Sequence, residues 1–183
     1  MAGDVVDLIM ADHREVERLF EELQSYPEKR PNLVPVLAAL LTAHSRAEEA
    51  EVYPVARDEA GETDEVAHSQ EEHLEADQLL TKLVATDPDQ ATFDDVLGKL
   101  VEAVTHHVQE EEAEVLPGMR QRLSDDRRSE LAKAFAAARE QHLRDKPGEP
   151  TRDDLATQAE NVDLPGRSQM SKDQLADELN PRS

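Results

Sequence analysis

The chain has 183 residues, enough for one domain of ordinary size and a tail, and sets 42 acidic residues against 20 basic ones for a formal charge of −22. That charge repels phosphate backbones and anionic membrane surfaces, so nucleic acid and membranes are disfavoured as partners. The absence of cysteine excludes disulfides, thiolate metal sites and cysteine nucleophiles, and an aromatic content of 3% argues against sheets.

The first predicted helix covers residues 4–25, where Val5, Leu8 or Ile9, Val16, Leu19 or Phe20 and Leu23 recur at helical spacing. Asp4, Asp7, Asp12, Arg14, Glu15 and Glu17 fall within it, which argues against a signal peptide. No apolar run reaches the length of a bilayer span, so a cytoplasmic location is the default expectation. His13 sits on the apolar stripe between Ile9 and Val16. After Pro27 and Pro31 a second helix is predicted from about Asn32, with Pro35 in its first turn. Its stripe runs Leu37, Leu40 or Leu41, His44, Glu48, Val52 and Val55, and Pro54 either kinks or ends it.

Gly61 closes that unit. A third helix is predicted from about Glu62 to Ala85, with Val66, His73, Ala76 or Asp77, Leu80 and Val84 facing inward. A turn at Asp87-Pro88-Asp89 leads to a fourth helix, capped by Asp89 or Thr92, through Leu97, Leu100, Val104, His107, Glu111 and Val115 to Pro117. A short fifth helix opens at Ser124 and runs through Leu131, Phe135 and Ala138 to about Leu143. Long helices with short connections make an all-α, up-down-up-down four-helix bundle the expected fold. The bundle is expected over residues 1–145, followed by a linker and small helical tail over 146–183.

One phrase is written twice: His44-Ser-Arg-Ala-Glu-Glu-Ala-Glu-Val-Tyr-Pro54 and His107-Val-Gln-Glu-Glu-Glu-Ala-Glu-Val-Leu-Pro117. In each copy a Glu follows the His by four residues, which on a helix puts imidazole and carboxylate on one face a turn apart. Each copy is also preceded by a helix with one His on its stripe, His13 in the first half and His73 in the second, at separations of 31 and 34 residues. Two tandem hairpins related by a pseudo-twofold would bring His13, His44, Glu48, His73, His107 and Glu111 to one level of the core. Burying four imidazoles and two carboxylates there without compensation costs many kcal/mol, and a pair of cations removes the conflict. His and Glu donors suit iron, and zinc and manganese accept the same types.

Over residues 4–143 the sequence resembles the hemerythrin-like, HHE cation-binding family. The likeness rests on Asp12-His13-Arg14-Glu15, His44-x-x-x-Glu48-Glu49 ending in Tyr53-Pro54, Glu72-His73, and His107-x-x-x-Glu111-Glu112 ending in Leu116-Pro117. The resemblance implies a four-helix bundle around two non-haem iron ions, with Glu48 and Glu111 bridging and His13, His44, His73 and His107 as terminal ligands. It also implies a small ligand: O₂, peroxide or nitric oxide, with peroxide decomposition or O₂ consumption as the expected enzyme activity. Oxygen-carrying hemerythrins have a His-x-x-x-His pair on the third helix, whereas here Ser69 stands four before His73 and Asp77 four after it. His68 lies about 140° from His73 on an ideal helix and points elsewhere unless a π-bulge turns it inward. One metal therefore has an open position, which suits reaction better than storage.

The remaining candidates take quieter roles. His106 lies 100° off the His107 stripe and is at most a neighbour to the ligands, and His142 is explained by a helix end. Glu49, Glu51, Glu112 and Glu114 are expected on solvated faces, with a carboxylate that orients a ligand imidazole coming from among them. Tyr53 is given no chemical role. In the tail, Ser171 and Gln174 form a predicted capping box between short helices at 153–160 and 171–179. Residues 155–179 resemble Rho N-terminal and SAP-like helix–extended–helix modules, which often contact nucleic acid. With eight acidic and four basic residues over 149–183, the tail is a poor phosphate binder. The alternatives are a sensor whose tail docks a partner, and a bundle that binds zinc for stability alone.

Overall fold

Asp4 starts the fold by accepting the Val6 N–H at 2.9 Å, capping a helix in which every third or fourth residue is apolar. The computed structural model describes residues 3–180, which contain helices and no strand. In chain order the helices are α1 (Val5–Ser25), α2 (Arg30–Ala47), α3 (Tyr53–Glu59), α4 (Thr63–Ala85), α5 (Thr92–Ala113), α6 (Val115–Arg122), α7 (Asp125–His142), α8 (Arg152–Asn161) and α9 (Lys172–Leu179). A turn of π-helix, Glu48–Val52, joins α2 to α3. Helices α1, α2, α4 and α5 form the expected antiparallel bundle.

Both copies of the repeated phrase break their helix just before the proline. Pro117 has no N–H to give and its ring crowds the carbonyl four residues back, so α5 stops at Ala113 and α6 restarts after Glu114, whose backbone leaves the helical region at φ −121°, ψ −66°. In the first copy the strain is taken up by the π turn, where the Tyr53 N–H donates to Glu48 O, five residues back. The long second and fourth helices expected from periodicity are thus each interrupted.

Other differences are local. Neither Asp89 nor Thr92 caps α5: Ala91 occupies that position, without a side-chain hydrogen bond, and the Asp87 carboxylate instead accepts the Asp89 N–H within the turn. Val84 faces solvent and Leu83 takes its place in the core, because α4 presents Leu80 and Leu83 to α5. The fifth helix is not short: α7 has 18 residues, the same as α2, and lies against both α1 and α2. The Ser171–Gln174 capping box forms as expected, and α8 has a second one from Thr151 and Asp154.

The apolar core is divided in two. One cluster holds Val5, Ile9, Val52, Val66, Val115 and Phe135; the other holds Val16, Leu37, Leu80, Leu97 and Leu100. Between them lies the level of His13, His44, His73 and His107. A third, small cluster of Leu155, Ala159, Leu175 and Leu179 belongs to α8 and α9, and Leu74 of α4 packs against it. The linker is tied down too: the Gly148 N–H donates to Asp77 at 2.9 Å, from a left-handed backbone (φ 73°) with Thr81 so close that a Cβ would meet it at 2.7 Å.

Phe135 is fully buried and its ring sits edge-on to His44 with centroids 5.9 Å apart, so α7 walls the central layer. Replacing it with alanine is expected to cost about 3–5 kcal/mol in urea denaturation. A loss under about 1 kcal/mol would mean that α7 is not part of the cooperative core.

Candidate metal centre

The six side chains singled out by the repeat meet in this layer. Their residues are all 6% exposed or less, and Glu48 and Glu111 are at 0%. The imidazoles form two pairs, His13 with His44 (centroids 5.1 Å apart) and His73 with His107 (4.6 Å). Each carboxylate reaches across the pairs. Glu48 Oε2 lies 3.2 Å from His44 Nε2 and 3.4 Å from His73 Nε2; Glu111 Oε2 lies 3.3 Å from His13 Nε2 and 4.0 Å from His107 Nε2.

The opposite ring nitrogens show a second pattern. Every Nδ1 faces a different carboxylate: His13 faces Glu112 at 2.9 Å, His44 faces Asp12 at 3.3 Å, His73 faces Glu49 at 3.4 Å and His107 faces Glu72 at 3.0 Å. The pseudo-twofold accounts for it. The acid before each lone His, Asp12 or Glu72, turns to the motif His of its own half. The acid after each motif Glu, Glu49 or Glu112, turns to the lone His of the other half. A carboxylate on Nδ1 fixes the tautomer with its proton there and leaves the Nε2 lone pair directed inward.

This arrangement fits cations. Both oxygens of Glu48, both of Glu111 and Nε2 of His13 have no aligned hydrogen-bond partner despite complete burial. His73 Nε2 and His107 Nε2 face each other at 3.1 Å, which is repulsive between lone pairs unless a proton or a cation stands between or beside them. Two groups of donors lie close enough to share an ion, His13 with His44 and Glu48, and Glu48 with His73 and His107. The same demand appears in the protonation of the chain alone. Burial would lower the His44 imidazole, yet Glu48 and Asp12 push it up to about 10. His73 is likewise pushed up to about 9 by Glu48 and Glu49 against its burial. Glu48, for its part, is held well below the usual carboxylate range by His44 and His73, although burial opposes this.

The orienting carboxylate expected among Glu49, Glu51, Glu112 and Glu114 is supplied twice, by Glu49 beside His73 and by Glu112 beside His13. Glu49 and Glu112 do not form solvated faces: Glu49 is 4% exposed and Glu112 touches His13 and Arg14. Tyr53, which had no expected role, is fully buried with its hydroxyl 3.0 Å from His73 Nε2. Nine residues past His44 on an ideal helix is the far side, but the extra residue of the π turn rotates Tyr53 back by about 100°. Burial and the charges of Glu111, Glu48 and Glu49 push its phenol well above the ordinary value, so it remains a proton donor. Ser69 is buried beside His73, while His68 and His106 face outward, as their helical phase requires. His142 pairs with Asp145 at the end of α7.

The tail also reaches the centre. Glu49 accepts from Gln70 Nε2 at 2.8 Å and from Gln158 Nε2 of α8 at 2.9 Å. Asn161 Nδ2 donates to Glu49 O at 3.0 Å and to Gln70 Oε1 at 2.9 Å. On the bundle side, Val16, Leu41, Ala76, Val104 and Val108 wall a small apolar cavity against the four imidazoles, with room for about one water-sized molecule.

Comparison with known proteins points to a metal-binding helical domain. The family model described as the hemerythrin HHE cation binding domain matches residues 4–119. A protein from Nostoc sp. named a DNA nickase is 33% identical over 138 residues, which cover 74% of this chain and 39% of that protein. The chain therefore spans well under half the length of that relative. No solved structure matches this chain.

The raised imidazoles predict a pH dependence for the metal-free protein. A group whose folded value exceeds the ordinary 6.5 stabilises the fold fully below about pH 6.5 and loses that contribution as pH rises through the folded value, here about 9 for His73 and about 10 for His44. Urea midpoints of the metal-free chain should fall between about pH 7 and 10. Added divalent metal should restore them at the alkaline end, and a flat profile without metal would contradict the assignment.

Proposed function

The chain belongs to the hemerythrin HHE cation-binding family, and on that premise we propose that it holds two iron ions and handles O₂, peroxide or nitric oxide. His13, His44, His73 and His107 would be terminal ligands, and Glu48 and Glu111 would bridge the two ions. The observation that carries this reading is the position of each glutamate between one imidazole of either pair, at 3.2 to 4.0 Å. Zinc and manganese accept the same donors; a redox metal is favoured by the small apolar cavity against the imidazoles, which suits a small reacting molecule.

Bound iron would supply electrons to O₂ or peroxide and accept them back. The protein's part is positional. Asp12, Glu49, Glu72 and Glu112 hold the imidazoles by Nδ1, which sharpens their geometry and raises their basicity. The apolar walls of Val16, Leu41, Val104 and Val108 exclude water and bulk solute, so only a molecule of a few atoms enters. Tyr53, held protonated, is placed to donate a hydrogen bond at the His73 side, where Ser69 replaces a further imidazole.

A sensing role is the second reading, favoured by the bonds from Gln158 and Asn161 to Glu49. Through them, a shift of His73 on ligand binding would be felt in α8. Strand nicking, the activity named for the Nostoc relative, gains less support. The candidate ligands are buried, the chain carries −22, and most of that relative lies outside the matched segment.

Iron-loaded protein is expected to change its near-ultraviolet and visible absorption on adding peroxide. Val104→Phe, which fills the cavity, should slow that change at least tenfold while leaving iron content intact. An iron-loaded wild-type chain inert to O₂, peroxide and nitric oxide would sink the reading.

A further inference from the structure

We propose that α4 and α5 carry a second cation site on the surface, built from His68, Glu72 and Glu110 and held in place by His106. The same chemistry that marks the buried layer recurs here one step round the helices. His68 precedes Glu72 by four residues on α4, and His106 precedes Glu110 by four on α5, so each pair shares a face. The two helices run antiparallel and pack closely, which turns the pairs toward each other.

Three of these side chains converge, and His106 bonds to two of them. His68 Nε2 lies 3.0 Å from Glu110 Oε2 and 3.6 Å from Glu72 Oε1. His106 Nδ1 lies 2.9 Å from Glu72 Oε1, and its Nε2 lies 3.4 Å from Glu110 Oε1. One donor atom from each of His68, Glu72 and Glu110 falls within 4.8 Å of the others. Ligands about 2.0–2.2 Å from a tetrahedral zinc stand roughly 3.2–3.6 Å from one another, so little movement is needed to close the His68 nitrogen and one oxygen each of Glu72 and Glu110 on one ion, while His106 holds both carboxylates from the side. Both imidazoles are more than half exposed, at 56% and 60%, and open onto a groove that Glu75 and Glu102 make acidic, with Lys99 the one cation lining it. A chain of charge −22 concentrates divalent cations at such a groove.

The site differs from the buried layer in access: it exchanges ions with solvent. The two are joined by one carboxylate, since Glu72 Oε2 also faces His107 Nδ1 at 3.0 Å. The surface site itself does not depend on which metal fills the buried centre, because His68 and Glu110 touch none of its six candidate ligands. The ligand class is a divalent first-row cation with a taste for mixed imidazole and carboxylate donors, Zn²⁺ foremost.

The test is calorimetric titration of Zn²⁺ into the full chain after iron loading, with iron counted before and after. One further equivalent per chain is expected. His68→Ala, His106→Ala and Glu110→Gln should each weaken it at least tenfold without loss of iron. The exposed histidines can be removed without disturbing the fold, which circular dichroism would verify. A chain that takes up no further equivalent, or one bound as tightly by the three variants, overturns the proposal. The Glu48→Ala/Glu111→Ala variant separates the two readings: it should lose iron and keep the equivalent that His68→Ala removes.

Discussion

Two carboxylates, Glu48 and Glu111, sit at 0% exposure in the middle of a helical bundle with no aligned donor on any of their oxygens. Left uncompensated, each such charge costs several kcal/mol, a large share of what a domain of this size has in hand. The rest of the architecture can be understood as the answer to that constraint. Four imidazoles converge on the carboxylates, four further carboxylates hold the imidazoles, and apolar clusters seal the layer from both ends. The low dielectric that makes the charges expensive also makes their attraction for a cation strong.

The pseudo-twofold extends further than the ligands. Each half contributes an acidic residue directly before its lone His and another directly after its motif Glu, and each of the four lies within 3.4 Å of an Nδ1. One set links helices within a half and the other links the halves, so the layer also stitches the two hairpins together. Symmetry then breaks at the periphery. His44 is backed by Phe135 and its partner Asp12 by Arg139, both from α7, whereas the partner of His73 is backed by Gln158 and Asn161 from α8. One half is therefore held by an integral helix and the other by the tail.

The bundle and its central six residues could be read in the sequence because His and Glu interrupt otherwise apolar stripes at helical spacing. The neighbours could be read only in part. Glu49 and Glu112 lie about 100° from Glu48 and Glu111, and whether that direction meets water or another helix depends on packing that no local pattern encodes. Tyr53 has no expected role on an ideal helix because a single π turn shifts its phase, and that turn follows from the proline after it rather than from any hydrophobic period. Gln158 and Asn161 look like surface residues of a short polar helix until α8 is laid against the bundle. The acid-His pairs Asp12-His13 and Glu72-His73 were the one available signal for the outer carboxylates, since their recurrence at equivalent points of the two halves is visible in the chain itself.

The central claim is that the buried layer exists to hold two cations between Glu48 and Glu111. Counting metal by native mass spectrometry on protein loaded anaerobically with ferrous iron tests it most directly. The account predicts two ions per wild-type chain, and one or none in Glu48→Ala and in Glu111→Ala. A wild-type chain that stays metal-free, or variants that still bind two, would contradict it.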